Sequence, residues 1–128
     1  MSVRIVRLGS DREPGEGLRI GTVRRPPRGV PKDRFAKDNW YDVWLPQLAP
    51  SAELVKQAQS AHSPKQWQAF ARRYRSEMGT ADNARLLILL AALSRQTNFS
   101  VGCYCEDENH CHRSLLRELL AEYGADFA

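Results

Sequence analysis

Strand-forming patterns stand at both ends of this chain, and helix-forming patterns fill the middle. Val3 to Leu8 and Leu18 to Arg25 are rich in β-branched residues, and Gly15 and Gly17 punctuate the connection between them. Near the other end, Asn98 to Cys105 alternates Phe99, Val101, Cys103 and Cys105 on one face against Ser100, Gly102 and Tyr104 on the other. This order predicts an α/β fold, a mostly parallel sheet covered by helices. The length, 128 residues, predicts a single compact domain over 1–128. A domain of that size folds without help from a metal or a disulfide. In such sheets ligands bind outside the carboxyl ends of the strands, where the loops after Arg25 and Cys105 are expected to meet.

The intervening helices announce their own starts. Ser51 is the expected N-cap of one helix, with Glu53 in its first turn. Ser63-Pro64-Lys65-Gln66 reads as a capping box with proline at the first helical position. Trp67, Phe70, Tyr74 and Met78 then recur at helical spacing up to Gly79. Thr80 is placed to cap a third helix, whose run from Leu86 to Leu93 is apolar all round and predicts burial between other elements. The last helix carries Leu115, Leu116, Leu119, Leu120 and Tyr123 on one stripe, with Gly124 as its C-cap.

Between the second strand and the first helix, Arg24 to Pro31 holds three prolines and a glycine, which excludes a regular element. The irregular stretch runs on through Trp40-Tyr41-Asp42-Val43-Trp44-Leu45-Pro46 without a clear period, and an ordered loop of such length is often functional. Charge is uneven. Residues 1–37 hold ten Lys or Arg against four Asp or Glu, whereas residues 38–128 hold nine against eleven. The basic third is either an anion-facing surface or a solvated one laced with salt bridges. Arg24, Arg25 and Arg28 with Trp40, Tyr41 and Trp44 have the makings of phosphate contact plus base stacking, or of aromatics that pin the loop to the domain.

The chemistry-bearing residues crowd into Cys103 to Ser114. Three cysteines, Cys103, Cys105 and Cys111, fall within nine residues, an odd number unlike a secreted disulfide framework. Stepping back four from Leu115 and Leu116 places Cys111 and His112 on the inward stripe of the last helix. All three thiols and His112 are therefore expected to converge where strand and helix meet. A thiol at a helix N-terminus becomes more acidic, and His112 beside it serves as its proton partner. Arg113 in the first turn suits an anionic ligand, although Glu106, Asp107 and Glu108 oppose one. The Cys-x5-Arg loop of phosphatase-like sites is absent, since Cys111 stands six residues after Cys105. The same four residues, Cys103, Cys105, Cys111 and His112, make a zinc set, although the spacing is not standard and adjacent Cys111 and His112 look awkward for one ion. A redox pair, Cys105 with Cys111, is a third reading. Small buried thiols with a core histidine are the structural alternative.

These residues carry a resemblance. The run Arg25 to Lys32, the run Asp42 to Ser51, the spacing of Trp67, Phe70, Tyr74 and Glu77, and Cys111-His112-Arg113-Ser114 together resemble the domain-of-unknown-function family 488. The resemblance covers nearly the whole chain. It implies a small bacterial or archaeal α/β protein and brings no activity with it. In one branch of that family the matching positions are Cys103, Cys105, Glu106, Cys111, His112 and Arg113. Another branch keeps the Pro-Arg-Gly-Val and Ala-Pro-Ser motifs without the cysteines, which raises the standing of Arg25, Arg28 and the loop around Trp44.

The leading expectation is a pocket for an anionic ligand, a nucleotide or a nucleic-acid end, held by Arg25 and Arg28 with Trp44, Glu106 and Ser114 contributing. Cys105 or Cys111 is then the reactive thiol, His112 its proton partner and Arg113 an electrostatic clamp. The alternative is a non-catalytic protein that binds zinc through its cysteines and His112 and meets nucleic acid with its basic third. The chain lacks a membrane span and a signal-like N-terminus, so the expected compartment is the cytoplasm.

Overall fold

The computed structural model of the chain describes residues 1–105 and 111–128. Four strands, β1 (Val3–Arg7), β2 (Leu18–Gly21), β3 (Val43–Trp44) and β4 (Phe99–Cys103), form one sheet in the order β1-β4-β2-β3. Every neighbouring pair is parallel. The last strand in sequence is thus inserted between the first two. Buried on both faces and paired on both edges, β4 has no exposed residue, as a central parallel strand must. The outer edge of β1 is covered by the C-terminal residues: Val3 N–H donates to the Asp126 carbonyl and Ala128 N–H to that of Val3.

Four helices follow the sequence signals: α1 (Ala52–Gln59), α2 (Pro64–Met78), α3 (Ala81–Ser94) and α4 (His112–Glu122). Ser51 Oγ accepts from Leu54 N–H, and Ser63 with Gln66 completes the capping box. Thr80 makes no cap bond; its hydroxyl donates back to the Glu77 carbonyl instead. Val3, Ile20, Phe99 and Val101 of the sheet pack with Leu54, Phe70, Tyr74, Leu87, Leu116 and Leu120 in one core. No helix among the described residues is long and apolar enough to cross a membrane.

Three expectations are corrected. The helix α3 is not buried all round: Leu87, Leu90 and Ala91 face inward, while Ile88, Leu89 and Leu93 are exposed. It packs on α2 and α4. The second strand stops at Gly21 rather than Arg25. Its pairing ends with Thr22 N–H on the Gly102 carbonyl, and the Thr22 carbonyl is taken by a side chain, described below. The long loop contains a two-residue edge strand, β3, held where Asp42 and Leu45 N–H donate to Arg19 and Gly21.

The sheet face opposite the core is covered by loops, and its cover is polar at one end. Arg19, fully buried, gives all five guanidinium donors to partners: both carboxylate oxygens of Glu16 and the carbonyls of Ser10, Asp11 and Asn39. Ser100 on β4 donates to the same Glu16 carboxylate at 2.8 Å. Arg19 therefore belongs to the interior and not to an anion-facing surface. Beside it the Tyr41 ring lies on bare Gly21, where an added Cβ would stand 2.4 Å from a ring carbon.

Two consequences can be measured. Glu16→Ala leaves the Arg19 charge buried without its partner and is expected to cost about 3–5 kcal/mol in urea unfolding at pH 7. A loss under about 1 kcal/mol contradicts this role. Burial is the largest influence on Glu16 and raises its pKa. Hydrogen bonds from Arg19, Ser100 and the Glu13 backbone, with the Arg19 charge, together outweigh it and hold the carboxyl below its usual range. The stabilisation is thus complete above the ordinary carboxylate pKa of roughly 4 and fades as pH falls through the folded value. Glu16→Gln should flatten that acid-side decline. Gly21→Ala, which forces Tyr41 to move, is expected to cost about 1–3 kcal/mol.

Candidate functional site

The parallel insertion of β4 brings the carboxyl ends of three strands side by side: Arg7 ends β1, Thr22 follows β2 and Cys103 ends β4. From Cys103 the chain passes through Tyr104 and Cys105, and the described structure resumes at Cys111, the N-cap of α4. Cys111 keeps an extended backbone, with φ −137° and ψ 152°, while His112 is already helical. That change at the helix start lets adjacent side chains turn to the same side. Cys111 Sγ and His112 Nδ1 stand 3.6 Å apart. Ser114 closes the first turn, donating from its N–H and its Oγ to the Cys111 carbonyl.

His112 is buried, and its Nε2 lies 2.7 Å from the Thr22 carbonyl oxygen. A carbonyl only accepts, so Nε2 carries the proton and Nδ1 presents a lone pair towards Cys111. Burial pushes the imidazole pKa down to about 4, against the opposing influence of the Thr22 bond, so the ring is neutral at pH 7. Cys103, Cys111 and His112, all buried, place their ligand atoms within 4.8 Å of one another. The three thiols share hydrogen bonds, and these dominate their acidity. Contacts with Cys105 and then Cys111, followed by burial, drive Cys103 strongly up. The bond to Cys103 lowers Cys111, but Cys105 and burial outweigh it and leave Cys111 raised. Hydrogen bonds with Cys103 and Cys111, reinforced by His112 and Arg113, hold Cys105 well below the usual thiol range.

Two cavities meet at this corner. The smaller, about 330 Å³, has Cys103, Cys105, Cys111 and His112 in its wall with Val23 and Phe70. The larger, about 750 Å³, is lined by Arg7, Arg25, Arg28, Trp40 and Tyr104 among others. Tyr104 and Gln59 border both. The Tyr104 hydroxyl donates to the Arg25 carbonyl at 2.8 Å, its ring meets Trp40 edge-on with centroids 5.8 Å apart, and its own carbonyl accepts from Arg7 Nε. The start of the proline-rich loop at Arg25 therefore touches Tyr104, just past the end of β4; the loop after Cys105, which was expected to meet it, lies outside the described residues.

The residues singled out in the sequence fare differently. Cys103, Cys111 and His112 converge. Cys105 lines the same cavity, but β4 ends before it, so it is exposed rather than on the inward face. Arg25 and Arg28 face the neighbouring cavity. Arg24 is drawn away to the carbonyls of Ala49 and Pro50. Arg113 is buried, donates to the Cys105 carbonyl, and keeps an Nε without a hydrogen-bond partner among the described residues. Trp44 borders neither cavity; its indole N–H donates to the Val23 carbonyl at 2.7 Å. Glu106 lies outside the described residues. Adjacent Cys111 and His112 looked awkward for one ion, yet the helix start brings their ligand atoms to a workable distance. Sequence reasoning passed over Arg7, Tyr104 and Thr22. Arg7, as the last residue of a predicted strand, carried a usable signal; the Thr22 contribution is a backbone carbonyl, to which residue identity is blind.

Comparison with known proteins follows the same outline. A family model described as DUF488-N3a, the active DUF488-N3 subclade, matches residues 3–124. Uncharacterized proteins of Mycobacterium bovis and Mycobacterium tuberculosis are each 32% identical to the chain over 121 residues, spanning 92% of it and 92% of their own length. No solved structure matches the chain.

Proposed function

The chain belongs to the DUF488 family, and on that premise we propose that it is a small metal-dependent enzyme: Cys103, Cys111 and His112 hold zinc beside a pocket for an anionic ligand. One observation carries this reading, the placement of His112 Nδ1 3.6 Å from Cys111 Sγ while Nε2–H is fixed on a carbonyl. In a tetrahedral site with Zn–S about 2.3 Å and Zn–N about 2.1 Å, sulfur and nitrogen stand about 3.6 Å apart. A ligating histidine typically gives its other N–H to a carbonyl or carboxylate, as His112 does. Two thiolates and an imidazole are a soft donor set suited to zinc.

Three protein ligands with one position left open are the pattern of catalytic zinc, whereas four close a structural site. Cys105 is exposed and, although hydrogen-bonded to Cys103 and Cys111, is not among the three residues whose ligand atoms all lie within 4.8 Å of one another, which supports the open arrangement. Zinc so held polarises a ligand oxygen and acidifies bound water. The chain's own residues do the rest. Thr22 fixes the His112 tautomer. Arg113 ties down the Cys105 carbonyl, and Arg25 and Arg28 supply positive charge for an anionic nucleotide or nucleic-acid end across Tyr104. Free thiols at all three cysteines suit a reducing cytoplasm.

Native mass spectrometry of reduced protein loaded with zinc, with cobalt spectra beside it, tests this. One metal per chain is expected. Cys103→Ser, Cys111→Ser and His112→Ala should each lose at least roughly tenfold in affinity, and Cys105→Ser should keep the metal. Circular dichroism of each variant separates a lost ligand from a lost fold. Wild-type chain that takes no metal contradicts the proposal. Loss in Cys105→Ser equal to the others replaces the open site with a closed Cys3His one.

The exposure of Cys105 in the cavity wall favours a second reading, thiol chemistry without metal, with Cys105 or Cys111 as nucleophile and His112 Nδ1 as proton partner. It predicts that in metal-free protein at pH 7 Cys105 is alkylated about tenfold faster than an unstructured cysteine peptide, with Cys103 and Cys111 far behind. Rates equal to the peptide's contradict it.

A further inference from the structure

We propose that the larger cavity is a nucleoside 5′-phosphate site, in which Arg25 and Arg28 take the phosphate and the base packs against the Trp40–Tyr104 wall. This rests on the anion pocket of the proposed function but not on its metal. Three guanidiniums, those of Arg7, Arg25 and Arg28, line this cavity, and its described lining holds no acidic side chain. Several arginines elsewhere are matched with acids, Arg12 with Asp42, Arg34 with Asp38, Arg75 with Glu118 and Glu122, whereas Arg72 and Arg85, on exposed helix faces, have no acid partner among the described residues. Neither Arg25 nor Arg28 has a side-chain hydrogen bond or ion pair among the described residues. Their positive charge therefore faces the cavity with nothing described to offset it, a field that concentrates anions.

A bare phosphate is far too small for about 750 Å³, a volume typical of sites for whole small molecules. The remaining wall is mainly apolar, with Trp40, Tyr104, Pro26 and Pro27 beside the polar Ser10 and Gln59. It is also held in place. Trp40 lies against the backbone of Gly9, where a Cβ would meet the indole at 3.0 Å, and Gly9 has a positive φ of 92° that favours glycine. Tyr104 is fixed at both ends, by its hydroxyl on Arg25 and its carbonyl on Arg7. Rigid aromatic rings beside the guanidiniums of Arg25 and Arg28 recognise a planar ring joined to a phosphate, since every base offers a π-face for stacking. The same chemistry occurs in a free mononucleotide and at the 5′-phosphorylated end of a nucleic-acid strand.

Isothermal titration of the full chain with adenosine 5′-monophosphate, followed also by tryptophan fluorescence, tests the site. The monophosphate is expected to bind and to change the emission. Adenosine and inorganic phosphate should each bind at least roughly tenfold more weakly, since each supplies half of the recognition. Arg25→Ala and Arg28→Ala, both at exposed positions, should each weaken binding by roughly tenfold or more, with zinc content and circular dichroism unchanged. Phosphate binding as tightly as the nucleotide, arginine variants binding like wild type, or no binding of the monophosphate at millimolar concentration would each overturn the inference. Tighter binding of a 5′-phosphorylated tetranucleotide than of its unphosphorylated form assigns the site to strand ends. Tighter binding of the mononucleotide assigns it to free nucleotides. Either result supports the shared chemistry. Zinc retained by a chain that ignores the nucleotide overturns this inference alone, and nucleotide bound by a chain that refuses zinc overturns the metal reading alone.

Discussion

The parallel pairing of β4 with β1 on one side and β2 on the other is the constraint on which the rest depends. Parallel strands begin at one edge of a sheet and end at the other, so every strand delivers its carboxyl end to the same place. Arg7, Thr22 and Cys103 become neighbours for that reason, although nearly the whole chain separates the first from the last. The helix that follows β4 must then start at that edge. Its first residues, Cys111 and His112, arrive with their ligand atoms next to Cys103 and the Thr22 carbonyl. Without β4 in the centre, the histidine would have no backbone carbonyl to fix its tautomer and the thiols no common wall.

A sheet with its helices gathered into one core must cover its other face by different means. Here loops do it, and they bring a buried ion pair with them. Arg19 and Glu16 bind both the loops that cover the sheet and, through Ser100, the central strand itself. Such a pair contributes little net stability against an apolar substitute, yet removing one partner is expensive. Its complete set of hydrogen bonds fixes the path of residues 10–16 and of Asn39, and so helps set where Gly9 and Trp40 stand beside the larger cavity.

Much of this was present in the sequence, where local rules decide the outcome. Ser51 and the Ser63–Gln66 capping box start helices because their side chains satisfy exposed N–H groups nearby. The stripe of Phe70, Tyr74 and Met78 is buried as its spacing demands, and the family resemblance seen in residues 25–32 and 42–51, in the spacing of Trp67 to Glu77 and in residues 111–114 is matched by the family model. Features that depend on distant partners were hidden. The exposed side of α3 reads like a buried one, because apolar residues all round do not say how many neighbours a helix has. Arg19 looks like any surface arginine until the loops close over it. Two residues of β3 are too few to show a period, and the departure of Cys105 from the inward face follows from where pairing with β1 and β2 stops. The convergence of Cys103, Cys111 and His112 was readable from periodicity; the distance between adjacent Cys111 and His112 was not, because it depends on the backbone turn at the helix start.

The central claim is a metal site with two sulfur ligands, one nitrogen ligand and an open position. X-ray absorption at the zinc edge of the loaded, reduced chain examines the donor set directly. The account predicts two sulfurs at about 2.3 Å and two lighter atoms at about 2.0–2.1 Å, one of them from an imidazole. A shell of three sulfurs and one nitrogen would show that Cys105 closes the site, and a shell without sulfur would contradict the assignment of Cys103 and Cys111 altogether.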